Sequence, residues 1–175
     1  GTKGARLTTH ITLPSRFLVF LADSDVAGVS VKIDGERERQ RLKEMVNAFR
    51  TEFGGGYIVR TAAEGAEAWA LRADMQFLQR LWGSIRERIR ETPGVGALYE
   101  DLPLVLRVLR DFVGDSVEKV RIDSRETCQR MLAFADKFVP EMMPRLEHYP
   151  GERPVFELYG IEDEIQRALG KKVLL

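Results

Sequence analysis

Apolar residues along this chain change period several times, and each change marks an element. Leu7, Ile11 and Leu13, interleaved with Thr8, Thr9 and Thr12, form a β-rich run. Pro14-Ser15 punctuates it, and Phe17-Leu18-Val19-Phe20 forms a second run. Two such runs this close together predict a hairpin. Asp23-Ser24-Asp25 predicts a loop, Val29 to Ile33 a third strand, and Asp34-Gly35 a turn. From Glu36 to about Phe49 the period becomes helical, with Leu42, Met45, Val46 and Phe49 on one face. Gly54-Gly55-Gly56 then turns the chain into Tyr57-Ile58-Val59, a short strand that ends at Arg60-Thr61.

A longer helical period runs from about Ala66 to Arg90, where Leu71, Met75, Leu78, Trp82, Ile85 and Ile89 recur every three to four residues. A stripe at that spacing is first of all a core face. Arg86, Glu87, Arg88 and Arg90 read as its solvated side, and Pro93-Gly94 ends it. A second unit opens near Leu98. Pro103 suits the first turn of a helix with Val105, Val108, Leu109 and Phe112 on its apolar side. Val117 to Ile122 reads as a strand. Asp123-x-x-Glu126 has the form of a capping box that opens a helix with Cys128, Met131, Leu132, Ala135 and Phe138 inward, broken by Pro140 and Pro144. Leu146 to Tyr149 and Val155 to Tyr159 read as short extended pieces. Glu162 to Leu169 reads as a last helix capped by Gly170, and Lys171 to Leu175 as the entry to a strand. The fold class expected is α+β, strand-rich in the first half and α/β in the second.

Composition narrows the function classes. Lys+Arg and Asp+Glu balance at 27 each, which argues against a broad basic surface for sequence-independent nucleic-acid binding but leaves room for a local phosphate pocket. The single cysteine, Cys128, excludes an intrachain disulfide and is most simply read as a sign of a reducing compartment. No apolar run is long enough to span a bilayer, and the start lacks the apolar core of a signal peptide. Gly1 stands where an initiating Met would, which reads as a piece cut from a longer polypeptide.

Candidate chemistry is sparse. His10 and His148 have no Cys or carboxylate at metal-ligand spacing, and no Gly-x-Ser-x-Gly elbow exists. Gly54 to Gly56 precede a strand rather than a helix, so they form neither a P-loop nor a dinucleotide fingerprint. Asp111, Asp123, Glu126 and Asp163 could be assembled on paper as magnesium ligands, but Asp123 is better explained as a cap and the others as surface charge. No catalytic and no metal-binding residue is therefore assigned. Arg60-Thr61 is the feature that stands out. A guanidinium offers a planar fork of donors that matches two phosphate oxygens, and a neighbouring hydroxyl can bond a third. Placed at a strand end, such a pair would be well positioned.

Longer motifs carry a resemblance. Thr2-Lys3-Gly4-Ala5-Arg6-Leu7-Thr8-Thr9, Ile58-Val59-Arg60-Thr61-Ala62-Ala63-Glu64, and Asp74 with Leu81-Trp82 resemble the RNase E/RNase G family of bacterial endoribonucleases. So do Asp101-Leu102-Pro103-Leu104-Val105-Leu106-Arg107, Ile122-Asp123-Ser124, Glu147-His148-Tyr149-Pro150-Gly151 and Tyr159 through Leu169. The match runs nearly end to end and leans toward the RNase G branch.

The resemblance implies a strand-rich 5′-sensor subdomain with packed helices over 1–105, then part of an RNase H-like subdomain over 106–175. It also implies an OB-fold before this stretch and a DNase I-like catalytic domain after it. Magnesium and zinc would belong to the full-length enzyme and not to these residues. The implied partner is single-stranded RNA with a 5′-monophosphate, the compartment the cytoplasm, and the full-length assembly a homo-oligomer. Arg60 and Thr61 match the family's phosphate-holding pair. Val19 matches a position whose main chain lines the same pocket, and Lys3 a nearby lysine. Ser15 stands where the RNase E pattern has glycine, so its side chain either narrows the pocket floor or adds a hydroxyl donor. Lys32 lies near a basic pair in the family, of which Val31 replaces one member. The competing readings are an interaction module without phosphate preference and a self-sufficient nuclease built on Asp111 and Asp123.

Overall fold

The computed structural model describes residues 4, 7–112 and 117–170. They fall into two compact units that divide between Leu102 and Pro103. The architecture is α+β.

The first unit is a four-stranded sheet with two helices packed on one of its faces. Strands β1 (Thr12–Pro14) and β2 (Leu18–Leu21) form the expected hairpin, with Leu13 opposite Phe20 and Pro14 opposite Val19. β2 also pairs antiparallel with β4 (Gly56–Val59), and β3 (Ala27–Val29) pairs parallel with β4 on its far side, giving the order β1-β2-β4-β3. Between β3 and β4 the chain crosses over through helix α1 (Glu36–Phe53). α2 (Ala68–Glu91) follows β4 and contacts α1, β1 and β2.

Strand alternation decides which residues face these helices. Leu13, Leu18, Phe20, Tyr57 and Val59 are buried, and they meet Leu42 and Val46 of α1 and Leu71, Met75 and Leu78 of α2. The Phe20 ring stands 5.4 Å from Tyr57 and 6.1 Å from Trp82, tilted against both. Tyr57 keeps its hydroxyl satisfied inside this layer, where Gln79 Nε2 donates to it at 2.7 Å. Thr12, Pro14, Val19, Leu21 and Ile58 alternate onto the opposite face and stay half-buried or exposed.

The glycine turn between α1 and β4 does two different jobs. Gly54 and Gly55 adopt φ of 68° and 77°, which only glycine takes without strain, and so reverse the chain within two residues. Gly56 has ordinary dihedrals, but its backbone lies against the Ser24 loop: a Cβ there would stand 2.7 Å from the Ser24 carbonyl oxygen.

The second unit contains α3 (Leu104–Asp111), β5 (Val120–Ile122), α4 (Arg125–Phe138), a 3-10 stretch (Pro140–Arg145), β6 (Leu146–His148), α5 (Val155–Leu158) and α6 (Ile161–Ala168). β5 and β6 pair in parallel, and α4 with Cys128, Met131, Phe134 and Ala135 buried packs on them. Two expectations are corrected here. Asp123 does not cap α4. Ser124 does, its Oγ accepting from Thr127 N at 3.2 Å. Asp123 Oδ2 instead accepts the Val155 N–H at 3.0 Å, and Val155 to Leu158 is a helical turn rather than an extended piece. Pro154 (φ −51°) presets that turn, and Asp123 satisfies one of its orphan donors. The strand entry read at Lys171 to Leu175 lies outside the described residues.

Replacing Gly56 by alanine forces the Ser24 loop away from β4. Gly56→Ala should lower stability by about 1–3 kcal/mol, as overpacking does. A urea titration should show a lower midpoint with an unchanged slope.

Candidate functional site

Arg60 follows directly on β4 in extended conformation, with φ −86° and ψ 161°. Its main-chain N–H donates to the Phe17 carbonyl at 2.8 Å, which carries the β2–β4 pairing one step past the sheet. Alternation along β4 puts Tyr57 and Val59 inward and Ile58 and Arg60 outward. Thr61 then opens a single 3-10 turn (Thr61–Ala63), anchored by buried Ala63. Both members of the Arg-Thr pair are exposed.

The Arg60 guanidinium is held at one nitrogen. Nη1 donates to the Ser15 carbonyl in a short hydrogen bond, and to the Arg16 carbonyl at 3.3 Å. Among the described residues, Nε and Nη2 have no protein partner. These two nitrogens form one edge of the planar group, with parallel N–H bonds. That edge is the one that grips two oxygens of a carboxylate or phosphate.

Ser15, Arg16 and Phe17 form the tip of the β1–β2 hairpin beside this side chain. Ser15 is fully buried, and its donors point inward. Its N–H donates to the Leu18 carbonyl at 2.8 Å and its hydroxyl to Asp74 Oδ2 at 2.5 Å. Asp74 Oδ2 also accepts from the N–H groups of Phe17 and Leu18, each at 2.9 Å. Burial pushes the Asp74 carboxyl up, while the Ser15 hydroxyl and the amides of Phe17, Leu18 and Arg16 pull the other way. The Arg16 guanidinium stacks on the Phe17 ring, 4.6 Å from its centroid. Val19 lies directly opposite Ile58 in the strand register, on the face that carries Arg60. Lys3 lies outside the described residues. Lys32 is exposed, as is its neighbour Val31.

The segment after Thr61 is pinned from α1. Glu38 takes Arg41 in a bidentate pair at 2.6 and 2.7 Å and accepts the Gly65 N–H at 2.9 Å; Arg41 donates to the Ala66 carbonyl at 3.1 Å. The Arg41 guanidinium and the Gly65 amide hold the Glu38 carboxyl down to about 2. The turn carrying Thr61 is therefore held at both ends.

Sequence reasoning placed Arg60 and Thr61 together at a strand end; the structure has Arg60 just past β4 and Thr61 at the head of the following 3-10 turn, both exposed. It did not assign a role to Asp74, Arg16 or Phe17. For Asp74 a signal existed: it shares the inward stripe of α2 with Leu71, Met75 and Leu78, and a carboxylate at core spacing needs a partner. No signal marked the Glu38–Arg41 brace, which depends on where α1 passes α2.

Two of the four acidic residues considered as metal ligands are otherwise engaged. Asp111 takes Arg110 in a bidentate pair at 2.6 and 2.8 Å, and Asp123 caps α5. No group of three or more His, Cys, Asp or Glu among the described residues can hold a metal ion. A hollow of about 300 Å³ lies at the far end of the β1–β2 hairpin, lined by His10, Ile11, Thr12, Leu21, Asp23 and Ser24, well away from the Arg60 fork. No helix among the described residues is long and apolar enough to cross a membrane.

Comparison with known proteins gives this geometry a family. The Ribonuclease E/G family profile matches residues 12–175. The chain belongs to the ribonuclease E/G family. It is 48% identical over its whole length to Ribonuclease G of Escherichia coli K12, and 49% identical to Ribonuclease G of Haemophilus influenzae. Ribonuclease E of Haemophilus influenzae is more distant, at 31% over the whole chain. The chain spans 36%, 35% and 19% of the length of these three relatives.

The depressed Glu38 carboxyl gives a pH signature. A carboxyl held below its unfolded value adds stability that is present above about pH 4.5 and lost as pH falls toward about 2. Glu38→Gln should therefore lower the melting temperature near neutral pH. The gap to the unsubstituted chain should close over that acid range in parallel thermal melts.

Proposed function

We propose that this chain is the part of an RNA-processing endoribonuclease that recognises the 5′-monophosphate of single-stranded RNA. On this reading 1–105 act as the 5′-end sensor and 106–175 as part of an RNase H-like subdomain. Hydrolysis, with its magnesium, and zinc-mediated assembly belong to other parts of a longer cytoplasmic, homo-oligomeric enzyme.

One observation carries the reading: the Nε–Nη2 edge of Arg60 is exposed and unpartnered among the described residues, while Nη1 is locked to two carbonyls. A terminal phosphate would take that edge with two oxygens and the Thr61 hydroxyl with a third. Ser15 contributes through its carbonyl, which steers Arg60. Val19 and Ile58 border the fork with apolar surface on which the first base can rest. A 5′-hydroxyl end would leave the fork unused.

Each charge-assisted hydrogen bond contributes about 1.5–3 kcal/mol before screening. Arg60 is exposed, so solvent removes much of this, and a net preference of roughly tenfold is expected. Anisotropy titrations with two short single-stranded RNAs that differ only at the 5′ end test it. The unsubstituted chain should favour the monophosphate about tenfold. Arg60→Ala should abolish the preference. Arg60→Lys should keep only part of it, because an ammonium has no fork. Neither variant should change affinity for the 5′-hydroxyl RNA, and none of these chains should cleave RNA when magnesium is supplied. Equal affinity of the unsubstituted chain for both ends would overturn the proposal and favour an interaction module without phosphate preference.

A further inference from the structure

Peptide geometry links the buried Asp74 to the exposed fork. In a trans peptide group the N–H and the C=O point in opposite directions. The N–H groups of Phe17 and Leu18 donate to Asp74 Oδ2, each at 2.9 Å, and the Ser15 hydroxyl donates to it at 2.5 Å. The carbonyls on the other side of those two peptide groups belong to Arg16 and Phe17, and both accept from Arg60, the first from Nη1 and the second from its main-chain N–H. The carbonyl of Ser15, the residue whose hydroxyl the carboxyl holds, accepts from Nη1 as well. One carboxyl thus orients this stretch of chain from beneath, and one cation reads its orientation from above.

We infer that Asp74 is a positioning residue for the 5′-phosphate site: by gathering the hairpin-tip amides inward, it turns out the carbonyls that hold Arg60 Nη1 and so aims the Nε–Nη2 edge at the ligand. This rests on the reading of Arg60 as a phosphate fork. Ser15 adds a third bond to Asp74 Oδ2 at 2.5 Å, and its hydroxyl also lies 3.0 Å from the Leu18 carbonyl, so that hydroxyl serves the buried side of the turn and not the ligand. Asp74 never touches RNA in this scheme; it acts through Arg60.

The test compares affinities for 5′-monophosphate and 5′-hydroxyl RNA in the 175-residue chain, with Asp74→Asn and Ser15→Ala variants. Asparagine keeps the shape and one acceptor but loses the charge and turns an N–H₂ toward donors. The preference for the monophosphate should fall about threefold or more in Asp74→Asn, as charge-assisted bonds are replaced by weaker neutral ones. Affinity for the hydroxyl end should stay within about twofold. Ser15→Ala, which removes one bond and no buried charge, should lower the preference about twofold. A purely structural role would instead lower the melting temperature and weaken both RNAs alike, leaving their ratio intact. An unchanged ratio in folded Asp74→Asn overturns the inference; if that variant does not fold, an unchanged ratio in Ser15→Ala does so. Absence of any preference in the unsubstituted chain is a different failure, because it removes the phosphate fork itself.

Discussion

Three consecutive peptide groups, from Ser15 to Leu18, lie between a buried carboxylate and an exposed guanidinium, and the rest of the first unit is arranged to keep them there. A carboxyl taken out of water is costly unless it is hydrogen-bonded. Asp74 meets that requirement at Oδ2 with one hydroxyl and two amides, all from a single turn of chain. The turn is consequently not free to adopt the many conformations open to a hairpin tip. Its carbonyls must face out, and Arg60 is placed to receive them because β4 pairs with β2 in a register that sets Val59 opposite Leu18. A shift of one residue would turn Arg60 inward and Val59 outward. Register, buried anion and surface cation therefore specify one another.

The helices serve the same end from the other side of the sheet. α2 carries Asp74 between Leu71, Leu78 and Met75, so the packing that buries these apolar side chains also drives the carboxylate up beneath the hairpin. α1 crosses between two parallel strands and then reaches past β4 through the Glu38–Arg41 pair to Gly65 and Ala66. Surface ion pairs usually contribute little. Here the pair is bidentate and bonded to backbone at both partners. It fixes where the chain leaves the Arg60-Thr61 turn on its way into α2.

Much of this could be read from the residues, and what could not has a common cause. The helices were legible because their apolar residues recur on one face, as Leu42 and Val46 do in α1 and Leu71, Met75 and Leu78 in α2. The hairpin was legible from its two short runs, and Arg60-Thr61 from its place at a strand end. Strand limits were not. The run from Leu7 yields a strand only at Thr12–Pro14, and the one read at Val29 to Ile33 lies instead at Ala27–Val29. The limits of β1 follow from its register with β2, and those of β3 from pairing with β4 some thirty residues on, neither of which local composition encodes. Asp123 gave a true capping signal for the wrong helix, because its acceptor serves Val155 across the unit. Asp74 belongs to the same class: its meaning lies in partners more than fifty residues earlier in the chain.

The proposed site is small, and that bears on how it would work. Two donors of one exposed arginine, one hydroxyl and an apolar border cannot hold RNA tightly, and a net charge of zero gives no broad electrostatic attraction to make up the difference. Such a site discriminates between ends more than it binds them. Discrimination of this kind is useful when the RNA is already held elsewhere on the same polypeptide. A second contact made within one complex is then governed by an effective concentration, which can strengthen overall binding by about 10²–10⁴ without any new interaction. The chain spans about a third of its Ribonuclease G relatives, so length remains in those proteins for such holding surfaces. Rigidity then matters more than contact area: a weak fork can tell a phosphate from a hydroxyl only if it does not reorganise to suit the hydroxyl. The buried carboxylate beneath the hairpin supplies that rigidity.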